Sequence, residues 1–239
     1  MRRPFLFNML EIIYQDEHFI AINKPHGLIV HRSNLAKDAT IFALQELRNQ
    51  INQAVYPAHR IDRKTSGILL FALSRNALSE IRKLFENKSI TKKYLSIVRG
   101  YTPNQQSINY PLTNEKGVSQ PSITHFQTIE RTEINIPFGK HQTSRYSLIE
   151  VSPETGRMHQ IRKHMAHIFH PIIGDRPHGC NKQNKLFLER WGIKTMFLHA
   201  SSLSFVHPFT KECITISAKP QSEFLNCINL LNFNYSTLS

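Results

Sequence analysis

The sequence predicts an α+β fold in which a mixed, mostly antiparallel sheet carries flanking helices. The run Ile68–Leu73 is continuously apolar, which is typical of a strand buried on both faces. Residues 77–85 place Ala, Leu, Ile, Leu and Phe on one face of a helix. Counting such segments gives about nine strands and four helices, and most successive strands are close enough to form hairpins.

The predicted elements follow from these patterns. Strand segments are rich in β-branched and aromatic residues or alternate in polarity, and they are 10–14, 19–23, 68–73, 90–99, 122–130, 144–151, 197–200, 203–207 and 213–217. Helical periodicity marks 40–50, 74–87, 158–169 and 221–231, with a short helix near 186–190. Prolines at 103, 111 and 121 predict a loop-rich segment between Tyr101 and Phe126.

Charge indicates the class of partner. The chain has 30 Lys plus Arg against 17 Asp plus Glu, a formal net charge of +13 at pH 7. Such an excess favours a polyanionic partner, first of all nucleic acid, although a merely basic protein is the alternative. No stretch approaches the roughly 18 consecutive apolar residues of a membrane helix. The three cysteines lack CxxC spacing, so we expect neither a disulfide framework nor a cysteine zinc site, and a reducing, cytoplasmic location.

Asp62 is the candidate for chemistry. It lies between Arg60 and Arg63, just before the turn Thr65-Ser66-Gly67 and the buried run. Neighbouring cations favour an ionised carboxylate. Such a group at the edge of a core can be a nucleophile, a base or half of a structural ion pair. The residues alone favour the ion pair and leave the other roles open.

Four stretches together resemble RNA pseudouridine synthases of the RluA type. In chain order they are His59-Arg60-Ile61-Asp62-Arg63-Lys64-Thr65-Ser66-Gly67, Lys93-Tyr94 with Val98-Arg99-Gly100, Thr155-Gly156-Arg157-Met158-His159-Gln160-Ile161-Arg162, and Pro171-Ile172-Ile173-Gly174-Asp175. The resemblance extends from about Leu10 to about Lys219. It implies the catalytic fold of that family, and too few residues precede the first strand for an S4-type RNA-binding module.

The resemblance also implies the reaction and its residues. Uridine is isomerised to pseudouridine, without a cofactor or a metal, by breaking the C1′–N1 bond and making a C1′–C5 bond. Asp62 is expected to attack, Tyr94 to contact the target base and Arg162 to pair with Asp62. The target must be flipped out of its stack, and Arg60 is expected to fill its place. The residues expected to hold the RNA are His59, Arg60, Arg63, Thr65, Lys93, Arg157, His159, Gln160 and Ile161.

The implied partner is an RNA substrate. A tRNA is expected first, modified at the uridine in position 65 at the base of the T-stem. Ribosomal RNA or the tRNA anticodon arm is the alternative within the family, and a non-catalytic basic RNA-binding module or a uracil-releasing glycosylase lies outside it. We expect a monomer without a protein partner or membrane contact. Residues 1–9 are assigned to an N-terminal extension, 10–231 to the catalytic domain and 232–239 to a flexible polar tail.

Histidines in the predicted helix 158–169 and just after it raise the question of a metal site. His159, His164, His167 and His170 lie close together in sequence. No acidic residue lies within that helix, and neither HExxH nor CxxC is present. We therefore predict no metal, and polar helix positions in a basic groove.

Overall fold

The computed structural model describes residues 9–31 and 40–234, which fall into two compact units. Unit 1 comprises the chain up to Ile90 together with Ser204–Lys219. Unit 2 comprises Thr91–Leu203 and the chain from Pro220 onward. The predicted extension at 1–9 lies outside the described residues except for Met9, and most of the predicted tail does too. The assignment of 10–231 to a single catalytic domain stays a prediction.

Residues 9–31 and 40–234 form twelve strands and five helices. The strands are β1 Ile12–Gln15, β2 Phe19–Lys24, β3 Tyr56–Pro57, β4 Ser66–Ala72, β5 Thr91–Arg99, β6 Gln105–Asn109, β7 Leu112–Thr113, β8 Ser119–Gln120, β9 Ile123–Ile134, β10 Ser144–Pro153, β11 Leu198–Val206 and β12 Cys213–Ser217. The helices are α1 Ala43–Ile51, α2 Arg75–Glu86, α3 Gln160–His167, α4 Asn181–Trp191 and α5 Ser222–Leu230.

Unit 1 is organised around β2 and β4, whose residues are all buried. The two strands pair antiparallel from Phe19 opposite Ala72 to Lys24 opposite Gly67. β1 pairs with β2, and β3 pairs with β4. α1 contributes Ala43 and Leu47 to a core cluster with side chains of both central strands. Ser74 caps α2, as predicted, by accepting the Ala77 N–H at 3.1 Å.

Unit 2 contains the strand order β11-β5-β10-β9-β6, in which only residues 198–203 of β11 belong to this unit, with β7 and β8 as a separate pair. β5 and β10 pair antiparallel from Tyr94 opposite Val151 to Arg99 opposite Tyr146. α3 contributes Ile161 and Met165 to a core cluster with strand residues. A second cluster unites residues of α4 and α5 with residues of β5 and β10. This packing fixes β5, which carries Lys93 and Tyr94, and α3, which carries Gln160, Ile161 and Arg162.

The predicted α+β class is confirmed. All strand pairs of known register are antiparallel, and an isolated parallel bridge joins Ile29 to Phe42. No helix in the described ranges has both the length and the apolar character needed to cross a bilayer.

Three local predictions were wrong. The segment predicted to be loop-rich holds β6, β7 and β8, because main-chain bonds to β9 make β6 a strand although its sequence Gln-Gln-Ser-Ile-Asn is polar. The strands predicted at 197–200 and 203–207 are the single strand β11. The helix predicted near 186–190 extends over Asn181–Trp191.

Candidate active site

Asp62 is presented by a tight turn in unit 1. The Thr65 N–H donates to the Asp62 carbonyl at 3.0 Å, and Thr65 itself is buried. Gly67 has φ 100, which glycine adopts without strain. The preceding Ile61 is buried, whereas the Asp62 side chain is half-buried. The residues that follow Asp62 thus fix its backbone and leave its carboxylate at the edge of the unit.

His59 anchors the start of this loop. Its Nε2 accepts the Leu70 N–H at 3.1 Å, and its ring centroid lies 5.2 Å from that of Phe85. A neutral imidazole that accepts at Nε2 carries its proton on Nδ1. Arg60, the next residue, is exposed. The contacts of His59 support the loop, and an RNA contact by His59 stays a prediction.

Lys24 lies fully buried beside the Asp62 loop. Its ammonium donates to the carbonyl oxygens of Pro25 at 2.9 Å, Leu28 at 2.8 Å and Arg63 at 3.2 Å. The Gly27 N–H also donates to the Arg63 carbonyl, and Arg63 Nε donates to the Gly27 carbonyl. Lys24 therefore ties loop 25–28 to the backbone directly after Asp62.

The electrostatic field around this loop is positive. Burial lowers the pKa of Lys24 to about 7, while the charge of Asp62 raises it and that of Arg63 lowers it. Burial also lowers the pKa of His26 to about 4, with further lowering by Lys24, Lys64 and Arg63. His26 is therefore neutral at physiological pH. Lys24, Lys64 and Arg63 thus give the loop a positive environment, which would attract an anion such as an RNA phosphate.

Tyr94 and Lys93 lie on β5 in unit 2. Tyr94 is half-buried and packs against the core cluster that includes Ile161. Lys93 Nζ lies 2.9 Å from Glu150 Oε1, with 45% of the Lys93 side chain exposed. An exposed pair of this kind contributes little stability. Lys93 thus has a protein anion as a partner, and its contact with RNA stays a prediction.

Arg162 forms a buried, bidentate ion pair with Asp175. Its Nε and Nη2 donate to Asp175 Oδ2 and Oδ1, both at 2.8 Å. Arg162 is 5% exposed and Asp175 is 1% exposed. Two parallel bonds fix the plane of the guanidinium. The sequence led us to expect Asp62 as the partner of Arg162. The structure gives Asp175 as a bidentate partner, and the pairing with Asp62 stays a prediction.

The residues around Asp175 hold its carboxylate in place. Gly174 has φ 83, and a Cβ there would lie 1.9 Å from the Thr195 carbonyl oxygen. The Gly174 N–H donates to Asn184 Oδ1, and Asn184 Nδ2 donates to the Asp175 carbonyl. Asn184 of α4 thereby holds the backbone at the Gly174 N–H and at the Asp175 carbonyl. The matched Gly174-Asp175 dipeptide serves to position Arg162.

The loop before α3 is organised by Gln160. Its Oε1 accepts from Thr155 Oγ1 at 2.6 Å and from the Arg157 N–H at 3.0 Å. Its Nε2 donates to the Ile123 carbonyl and to Thr124 Oγ1, both at 2.9 Å. These four bonds use the full capacity of the amide. Any contribution of Gln160 to RNA binding would therefore be indirect, through the shape of the loop.

The other predicted RNA contacts in this stretch differ in accessibility. Ile161 is 6% exposed and lies in the core. His159 has φ 57, and its Nδ1 lies 2.9 Å from Nε2 of His178. Arg157 is half-buried and donates from Nε to the Pro121 carbonyl at 3.3 Å. Arg157 and His159 are thus partly accessible to a bound RNA, whereas Ile161 supports the loop from the core.

The histidines of α3 have protein partners. His164 is buried, with Nδ1 2.9 Å from Thr124 Oγ1 and Nε2 2.9 Å from the Tyr110 carbonyl. Burial lowers the pKa of His164, which favours its neutral form. Within the described residues, no group of three His, Cys, Asp or Glu side chains is arranged to hold a metal ion.

Sequence reasoning missed the roles of Lys24 and Asp175. A signal for Lys24 was present, because it extends the otherwise apolar run 19–22 after Asn23, where a buried charge needs several partners. Asp175 was noted only as part of a matched stretch. Its distance of 13 residues from Arg162 gives no local sign of a pair.

Comparison with known proteins identifies the family. The sequence model of the family described as RNA pseudouridylate synthase matches residues 18–167. A protein of Haemophilus influenzae named tRNA pseudouridine synthase C is 44% identical over 232 residues, which cover 92% of this chain and 97% of that protein. A Vibrio cholerae protein of the same name is 45% identical over 221 residues, covering 88% and 91%.

Solved structures support the fold. The human RNA pseudouridylate synthase domain containing 1 matches with a TM-score of 0.70 and 24% identity, covering 88% of this chain and 83% of that one. The human RNA pseudouridylate synthase domain containing 4 matches with a TM-score of 0.71 and 21% identity, covering 93% of each. Since the family model spans more than half of the sequence and relatives above 40% identity span most of it, the chain belongs to the RNA pseudouridylate synthase family and is an RNA pseudouridine synthase, an isomerase.

Proposed function

We propose that this enzyme isomerises a specific uridine of tRNA, the one at position 65 at the base of the T-stem. The support for tRNA is the name shared by relatives that are 44% and 45% identical over nearly their whole length. The position is what the resemblance implies. The net charge of +13 suits a polyanionic substrate, so binding should weaken steeply with salt. The enzyme is proposed to act in the cytoplasm as a monomer.

Asp62 is the proposed nucleophile, and the observation that carries this role is its turn. The turn leaves the Asp62 side chain half-buried, and Asp62 lies close enough to Lys24 for their charges to interact. A carboxylate that is partly accessible and held by a fixed backbone can act as a nucleophile.

The reaction is an intramolecular transfer of uracil. The C1′–N1 bond breaks, the uracil turns within the site, and a C1′–C5 bond forms. The C5 hydrogen leaves as a proton and N1 gains one, so neither a redox partner nor water is consumed. Tyr94 is proposed to contact the uracil ring and take part in proton transfer. Arg162 is proposed to orient the carboxylate of Asp62, held in its own plane by Asp175.

The target base must flip out of the RNA stack into a pocket, and unstacking it costs about a few kcal/mol. Arg60 is exposed and is proposed to take the vacated space. The residues proposed to hold the RNA around the target, directly or through the loops they support, are His59, Arg63, Thr65, Lys93, Arg157, His159, Gln160 and Ile161.

The test is tritium release from RNA labelled at uridine C5, because forming the C1′–C5 bond expels that tritium. We expect the wild type to release tritium from tRNA and Asp62→Asn to release none. Chemical mapping of pseudouridine in the product should give one site at position 65. Modification of ribosomal RNA or of the anticodon arm would move the substrate elsewhere within the family. Release of free uracil would show that the enzyme hydrolyses the glycosidic bond instead of isomerising the uridine. Equal activity of Asp62→Asn and wild type would show that Asp62 is not the nucleophile.

A further inference from the structure

Phe169 occupies an unfavourable position at the end of α3. Its φ is 64, in the left-handed region, and the residue is 87% exposed. The Phe169 N–H donates to the Ala166 carbonyl at 3.0 Å, and the His170 N–H donates to the Met165 carbonyl at 2.9 Å. These two hydrogen bonds form a Schellman motif, in which the residue with positive φ is usually glycine. A bulky L-residue there strains the backbone.

Burial of the Phe169 side chain does not offset this strain. A residue that is 87% exposed buries little apolar surface. In the described part of the chain, six non-glycine residues have positive φ, and the other five are polar, namely Asn52, Lys88, His159, Lys211 and Asn232. Phe169 thus combines an unfavourable backbone with an unfavourable exposure. Such combinations are expected where a residue serves binding rather than stability.

The neighbourhood of Phe169 indicates the chemistry of its partner. His167 stacks on Tyr110 with ring centroids 3.7 Å apart, and 42% of Tyr110 is exposed. The stretch 157–170 contains no Asp or Glu, and its partly exposed cations are Arg157 and Lys163, since Arg162 is buried in its pair with Asp175. Flat aromatic faces within an acid-free, basic stretch match a partner that carries both aromatic rings and negative charge. Nucleic acid has both.

We propose that Tyr110, His167 and Phe169, together the aromatic end of α3, stack on a nucleobase of the RNA substrate other than the target uridine. The proposal rests on the proposed function, because it assigns a second contact to the same RNA. Arg162 precedes Phe169 by seven residues, or roughly 10 Å along a helix. That distance is well within the span of one RNA helical turn. Phe169 supplies an exposed face, and the His167–Tyr110 stack, whose histidine precedes Phe169 by two residues, supplies a second one.

The test separates binding from stability. Phe169→Gly relieves the backbone strain, so its Tm should rise by on the order of 2–4 °C. The same change removes a stacking face, so its Kd for the tRNA substrate should rise about 5-fold or more. Phe169→Tyr should bind as the wild type does, whereas Phe169→Leu, which is apolar but has no π face, should bind as weakly as Phe169→Gly.

A matched control lies in the same unit. Asn232 has φ 58 and follows the last residue of α5 and its C-cap, so it occupies the corresponding position at another helix end. Asn232→Gly should leave Kd unchanged and raise Tm slightly. A rise in Tm with an unchanged Kd for Phe169→Gly would overturn the proposal, as would full binding by Phe169→Leu. Self-association of the wild type that Phe169→Gly abolishes, with RNA affinity intact, would assign the ring to a protein contact instead.

Wild-type tritium release is measured in parallel. Its absence from every RNA would overturn the proposed function and this inference with it. Its presence together with unchanged RNA affinity in Phe169→Gly would refute this inference alone.

Discussion

Replacing Lys24 by Met tests the link between a buried ammonium and the Asp62 loop. Methionine has a similar length and no branch, so it fills the space without the charge. The substitution removes the donor to the Pro25, Leu28 and Arg63 carbonyls. The Pro25 carbonyl retains the Leu28 N–H as a donor. Leaving a buried carbonyl without its donor costs about 1–3 kcal/mol. The Arg63 carbonyl retains the Gly27 N–H as a donor, so the Leu28 carbonyl bears most of this cost.

The pH dependence of the free energy of unfolding gives a more specific magnitude than the lost hydrogen bonds do. Burial lowers the pKa of Lys24 from 10.5 to about 7. Between these values the unfolded chain binds more protons than the folded chain, so the free energy of unfolding of the wild type rises with pH across this window. At about 1.4 kcal/mol per pKa unit, the rise between pH 6 and pH 9 is about 2–3 kcal/mol. Lys24→Met lacks this contribution.

The assay is urea unfolding of both proteins at pH 6 and pH 9. The stability difference between wild type and Lys24→Met should grow by about 2–3 kcal/mol in favour of the wild type at pH 9. Lys83→Met, which removes an exposed lysine of unit 1, should show no such change. Because Lys24 is inaccessible to RNA, kcat should fall tenfold or more with little change in KM. Parallel stability curves, or a change confined to KM, would refute the reasoning.

Three further predictions concern the other contacts. Asp175→Asn leaves the Arg162 guanidinium buried without its anion and should cost about 3–5 kcal/mol in urea unfolding; an unchanged midpoint would contradict the pair. Gly174→Ala places a Cβ 1.9 Å from a backbone oxygen at φ 83, and it should lower Tm by several degrees in thermal unfolding; an unchanged Tm would contradict this close approach. Lys93→Ala should weaken RNA binding less than Arg60→Ala does, because Glu150 already pairs with Lys93; filter binding at two salt concentrations measures both, and the reverse order would show that the ion pair opens on RNA.

The sequence predicted the elements that bury apolar side chains. β4 was visible as an apolar run, and α2 as a helical stripe with Ser74 as its cap. β6 was missed because it exposes polar side chains and is held by main-chain bonds to β9. Side-chain patterns carry no information about such bonds.

The candidate site was predictable where a motif is contiguous. The turn after Asp62 follows from the residues Thr65-Ser66-Gly67, whose backbone requirements are local. The pair of Arg162 with Asp175 and the three carbonyls around Lys24 depend on how separate segments meet. Composition and spacing do not specify which separate segments come into contact. The partners of Arg162 and Lys24 could therefore be identified only from the structure.

Unit 1 is discontinuous in the sequence, and this shapes the order of folding during synthesis. Its first part ends at Ile90, and its second part, Ser204–Lys219, includes β12. Ribosomes add roughly 5–20 residues per second, so the first part waits on the order of 10 seconds or more for its completion. During that interval the paired strands β2 and β4 exist without β12. A nascent chain stalled before residue 204 should therefore be more sensitive to protease within residues 40–90 than one stalled well after residue 219.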